Sequence, residues 1–121
     1  MQEQVTFKLS QEFLLHQSND IDSLTDELLL NLKAIEALLV SYHFKSRGRV
    51  FDISLDEGSV TFLNPLMGKF IVKYAIGQFN ACADVDFTER ASMEILIDID
   101  KEKSLGIITG EYIPEREPDE F

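Results

Sequence analysis

The chain has 121 residues and a formal charge of −11, so it fits one domain that buries roughly two-thirds of its unfolded surface, with no room for a second. That charge makes nucleic acid a poor direct partner, because phosphates reward clustered Lys and Arg, and it steers cationic partners inward. Cys82 is the only cysteine, which rules out an internal disulfide and suits a reducing compartment.

The amino terminus, MQEQVTFKLSQ, lacks the basic-then-apolar pattern of a secretion signal. No apolar run approaches the ~18 residues of a membrane span. A cytoplasmic location without membrane contact is therefore expected.

Residues 4 to 9 alternate at Val5, Phe7 and Leu9, the period of a half-buried strand. From Asp20 the period changes. Ile21, Leu24, Leu28, Leu32, Ile35 and Leu39 recur at helical steps and predict one amphipathic helix from about Ser23 to about Leu39. Ser23 is the expected cap, with Asp26 in a capping-box position and Asp22, Asp26 and Glu27 complementing the helix dipole. Leu30, Ala34 and Ala37 form a second, narrower stripe. It either packs on Phe13 to Leu15 or makes a dimer interface, since small residues admit another backbone.

Everything after Val40 reads as strand. VSYHFK and RVFDISL are expected to form a hairpin closed by Ser46 to Gly48, and RVFDISL and SVTFL a second one, pairing Leu55 with Val60 and Ile53 with Phe62 through a loop at Glu57 and Gly58. Pro65 breaks the sheet at NPLMG. At Gly77 the apolar parity switches, which predicts a bulge or turn. SMEILIDID then alternates at Met93, Ile95, Ile97 and Ile99, turns through KEKS and returns as LGIITGEYI. Residues 1–113 form a single expected domain, and the acidic 114–121, with two prolines, a mobile tail. The expected class is α+β, one main amino-terminal helix on a curved antiparallel meander of five to seven strands. One helix covers one face. The other awaits barrel-like closure, a ligand or a second copy.

Candidate chemistry is sparse. Lys45, Arg47 and Arg49 cluster at the first expected hairpin tip, where like charges facing each other call for an anion, either the protein's own acids or a phosphate or carboxylate ligand. His16 and His43 have no ligand-spaced partners, so no metal site is expected. Asp84 and Asp86 would raise rather than lower the Cys82 thiol pKa, which favours inert packing. Asp98 and Asp100 in IDIDKEKS mimic the first two calcium-loop ligands, but Thr109 stands where the terminal Glu belongs. Gly106 and Gly110 read as bends in a strand.

Carboxylates are what remain. If the strands on either side of TERAS pair, Asp84, Asp86, Glu94, Asp98 and Asp100 share one outward face, suited to a cationic protein. The leading expectation is thus a small acidic, non-enzymatic interaction protein of inhibitor or immunity type, dimeric, with no catalytic residues and no cofactor. One alternative is a domain that binds or transforms a small apolar ligand in a pocket lined by Phe70, Tyr74, Phe79 and Tyr112. A structural homodimer subunit is the other.

Overall fold

A computed structural model describes residues 2–15, 20–43, 49–80 and 85–112, with backbone alone for 78–80 and 85–87. The elements are β1 (Gln4–Lys8), α1 (Gln11–Leu15), α2 (Ile21–Leu30), α3 (Leu32–His43), β2 (Arg49–Asn64), β3 (Met67–Asn80), β4 (Val85–Asp100) and β5 (Leu105–Thr109). The strands form one antiparallel sheet in the order β1-β5-β4-β3-β2, so the protein is α+β, with five strands among the described residues. β2 to β5 are a meander, and β1 closes it from the far side of β5.

Alternation assigns the faces. Phe70, Val72 and Tyr74 of β3, Met93, Ile95, Ile97 and Ile99 of β4 and Ile108 of β5 are buried, together with Leu24 and Leu28 of α2 and Ile35, Leu38, Leu39 and Tyr42 of α3. At about 1.5–3 kcal/mol for each large apolar side chain removed from water, this shared core dominates the favourable energy. Leu96, Asp98, Asp100, Ile71 and Met67 point the other way and are half-buried.

The expected single helix is two helices. Asn31 has φ −116° and ψ 33°, donates its N–H to Leu28 O and its side-chain amide to Glu27 O, and offers its carbonyl to Ala34 and Ile35. It ends one helix and starts the next, as a residue whose side chain competes for backbone groups can. Asp20, not Ser23, is the cap: its carboxylate accepts Asp22 N–H, and Ser23 is a donor to it. The helical stretch also extends beyond Leu39 to His43, so VSYHFK is not the first strand of a hairpin. Tyr42 continues the spacing of Ile35, Leu38 and Leu39 and is buried, and burial overrides the strand propensity of Val40 and Tyr42.

Three further expectations are corrected. Asp56 to Gly58 is no hairpin loop: β2 runs through it and pairs with β3 on both sides, Asp56 with Ile71 and Thr61 with Lys69. The extra residues bulge, and the Ser59 hydroxyl accepts the Ile71 N–H at 2.7 Å while donating to Asp56 O. Gly77 is no bulge, for the β3–β4 ladder continues unbroken from Met67–Asp98 to Asn80–Val85. A Cβ there would stand 3.1 Å from the Phe51 ring, so the glycine makes room for that ring. TERAS is no turn either, since Thr88 to Ser92 lie inside β4. Pro65 and Leu66 are the actual β2–β3 turn, with Asn64 Oδ1 accepting Leu66 N–H.

Gly106 is a close approach to an aromatic ring: a Cβ would lie 2.6 Å from Cζ of Phe7. Gly106→Ala should therefore lower stability by about 1–3 kcal/mol, the usual cost of overpacking a core. Chemical denaturation checks it, and an unchanged midpoint would mean that the Phe7 ring yields without penalty.

Candidate interaction surfaces

The sheet face turned away from the helices carries most of the expected site. Across the strands, the register aligns Ile107, Asp98, Met67 and Asn64 in one row. The next row is Thr109, Leu96, Lys69 and Thr61, and then follow Glu94, Ile71 and Asp56. Asp100 lies beside Leu105. Half-buried Met67, Ile71, Leu96 and Ile107 thus form an apolar centre, with Glu94, Asp98 and Asp100 set among and around them. Lys69 stands diagonally between Glu94 and Asp98, within reach of either across the ladder.

The five expected partner-binding carboxylates are not a compact strip. Glu94, Asp98 and Asp100 share this face, but Asp86 lies on the same strand rather than on a paired one. It stands fourteen residues from Asp100, about 46 Å along an extended strand. Its side chain, and Asp84 entirely, lie outside the described residues. So do Lys45 and Arg47, as well as His16 and Cys82. Arg49 opens β2, whose ladder partner is β3. Its partner in that ladder is Gly77.

The expected aromatic pocket is not assembled. Phe70 and Tyr74 are core residues at 0% and 2% exposure, Tyr112 is 67% exposed, and the side chain of Phe79 lies outside the described residues. The small-residue stripe is divided by the helix break. Leu30, on α2, is exposed and shares a cleft of about 120 Å³ with Phe13 of α1, whereas Ala34 packs against the core and Ala37 is exposed. Glu27 fixes this corner: its buried carboxylate accepts the N–H and hydroxyl of Ser10 at 2.8 and 2.6 Å.

Two arrangements had no sequence signal that pointed to them. A groove of about 300 Å³ separates α3 from β2, lined by Leu32, Lys33, Glu36 and Val50 to Ile53. Beside it Asp52 adopts φ 58°, a left-handed conformation that Asp tolerates better than most residues. Its carboxylate meets Arg90 at 2.8 Å, bridging β3 at Ala75, which lies between Phe51 and Arg90 in the register. Both partners are exposed, so the pair contributes little to stability.

The second arrangement is a polar tie at the end of α3. The Tyr42 hydroxyl accepts Glu3 N–H at 2.9 Å and donates to Glu111 O at 2.7 Å, joining the helix to the chain flanking β1 and β5. The next residue, His43, shares a 2.8 Å hydrogen bond between Nε2 and the Tyr74 hydroxyl. Burial raises the Tyr42 phenol above its ordinary value, helped by the Glu3 and Glu111 charges and opposed by the Glu3 N–H bond. Burial likewise raises Tyr74, with the Glu111 charge acting in the same direction. His43 moves down: burial disfavours its cation more than the Glu89 charge favours it. A neutral imidazole can accept the Tyr74 proton at Nε2, whereas a protonated one can only donate. The tie is a structural lock. Among the described residues, no three His, Cys, Asp or Glu side chains converge as metal ligands would.

Comparison of the chain with protein-family models, curated protein sequences and solved structures yields no match.

The His43 shift has a definite sign in stability. Its folded pKa is depressed, so both states are neutral above the ordinary histidine range, and the folded state loses ground as pH falls below about 6.5 toward the folded value. Thermal unfolding followed from about pH 7.5 to about pH 5 should fall more steeply for the native chain than for His43→Gln. Parallel curves would show that His43 contributes no pH dependence.

Proposed function

We propose that the protein is a non-enzymatic interaction module that captures a cationic protein on the helix-free face of its sheet. One observation carries the reading: Met67, Ile71, Leu96 and Ile107 are half-buried at the centre of that face, with Glu94, Asp98 and Asp100 among and around them. An apolar centre loses water on contact and supplies affinity, while surrounding charge selects the partner and speeds encounter. The net charge of −11 adds a long-range field of the same sign. A partner with an apolar patch edged by Lys and Arg fits this chemistry. Lys69 and Lys73 on the same face give register within an otherwise acidic surround.

Two sets of variants separate a local site from the overall field. Asp98→Asn with Asp100→Asn removes two charges from the face. Asp26→Asn with Glu36→Gln removes two exposed charges from the helices on the other side. The immobilised protein is challenged with a lysate of its native host at low and raised salt, and the basic protein retained only at low salt is identified and purified. Its association kinetics with both variants are then measured. The face variant should slow association about tenfold more than it speeds dissociation, with the helix variant near native, since charge acts mainly on encounter. Equal effects of the two variants, or retention of no basic protein, would overturn the reading.

A further inference from the structure

Charge is divided along the helix-free face. Cross-strand partners share a face, so the rows Ser54, Lys73 and Ser92, then Phe51, Ala75 and Arg90, then Arg49, Gly77 and Thr88 extend the same surface away from Met67. Arg49, Lys73 and Arg90 are exposed there, and Asp52 reaches Arg90 at 2.8 Å across Ala75. Toward Met67 the sign reverses. Asp56, Glu94, Asp98 and Asp100 stand among Met67, Ile71, Leu96 and Ile107, with Lys69 between them and Lys8 beside Leu105 on the outer strand. The change falls between Ser92 and Glu94, one step of the ladder. Each half also offers apolar surface: half-buried side chains in the acidic half and, in the basic half, the Phe51 ring, 43% exposed and lying against Gly77.

We propose that a second copy of this chain covers the face, its strands reversed, in a two-fold symmetric dimer. Sheets stacked face to face keep their strands within about 30° of each other. A two-fold axis lying between them, across the strands and level with the step from Ser92 to Glu94, turns the basic half of each copy onto the acidic half of the other. Rows are then exchanged in pairs. Lys73 lies over Ile71 of the second copy, flanked by its Asp56 and Glu94, while Phe51, Ala75 and Arg90 lie over its Thr61, Lys69 and Leu96. The exceptions to the charge division match as well: Lys69 of the second copy arrives over Ala75, where the Asp52 carboxylate reaches Arg90.

A two-fold interface repeats each contact, so every attraction occurs twice. Exposed ion pairs alone contribute little, and the apolar centre meeting the Phe51 ring adds the desolvation that holds the copies together. Local charge decides the fit rather than the total of −11. Arg90 and Asp98 are eight residues apart on one strand, about 26 Å, or some three times the Debye length of about 8 Å at physiological salt. The dimer goes beyond the capture of a cationic protein, which a second copy on the same face would oppose, and its test needs no other protein.

Sedimentation equilibrium of the full chain between about 1 and 100 μM, a range suited to modest interfaces, provides that test. The native chain should pass from monomer to dimer. Lys73→Glu and Glu94→Lys, both at exposed positions, should each weaken the dimer about tenfold or more, since each turns two attractions into repulsions. An equimolar mixture of these two variants should dimerise as the native chain does, because the substituted positions then face each other and so do the native ones. That recovery also shows that both variants fold. Lys33→Glu and Glu36→Lys make the same changes of net charge on exposed positions of α3 and should leave the dimer near native. A native chain that stays monomeric throughout the range overturns the proposal. So does a mixture that stays monomeric, or a loss in the α3 variants equal to that in the face variants.

Discussion

The β3–β4 ladder is the constraint on which the rest of the molecule depends. Fourteen consecutive residue pairs, from Met67–Asp98 to Asn80–Val85, run without a bulge. Since strand side chains alternate with period two, one unbroken ladder fixes the face of every residue on both strands. Phe70, Val72 and Tyr74 are thereby committed to the helices, together with Met93, Ile95 and Ile97. The same parity commits Lys69, Ile71, Glu94, Leu96 and Asp98 to the face without helices. Core and candidate docking surface are two consequences of one register, and a single-residue slip would exchange them.

The outer strands can be irregular because the centre is not. β2 shifts register at three places, between Phe51 and Ser54, between Asp56 and Thr61 and between Phe62 and Asn64, and the first two are satisfied locally: Asp52 by Arg90, the second by the Ser59 hydroxyl on Ile71 N–H. The helices show the same economy. α2 and α3 are separated by one residue, Asn31, which satisfies groups on both sides of the break. Leu28 and Ile35, the buried residues flanking it, are seven apart, so the apolar face continues through the break.

That spacing explains what the sequence disclosed and what it hid. The strand at Val5 to Leu9, the alternation from Met93 to Ile99, the turn at KEKS and the amphipathic helical face were legible, because each repeats a burial period over several residues. The break at Asn31 leaves the period intact and so leaves no mark. Thr88 to Ser92 resembled a turn because Glu89 interrupts the apolar alternation, but β4 has outrun β5 there and Glu89 is exposed, so burial no longer writes a pattern. Gly77, Gly106 and Gly110 looked like backbone irregularities. Each instead admits a ring, from Phe51, Phe7 and Tyr42 respectively, and such tertiary contacts have no local signature. Of the candidate site, the shared face of Glu94, Asp98 and Asp100 was legible from parity. The place of Asp86 was not, because it depended on whether TERAS turned the chain.

The edges of the sheet are managed unequally. β1 is five residues long, with exposed Thr6 and Lys8, and a short edge strand carrying a lysine is a poor template for another chain. β2 is long but shifts register at three places, which breaks the regular row of donors and acceptors that a neighbouring strand would need. The open part of β4 has neither protection: it is regular, and beyond Glu94 its outward backbone groups have no described strand beside them. Only at Glu94 is a donor capped, by the side chain of Glu111. That regularity follows from the unbroken β3–β4 ladder, which the irregularities of β2 leave untouched.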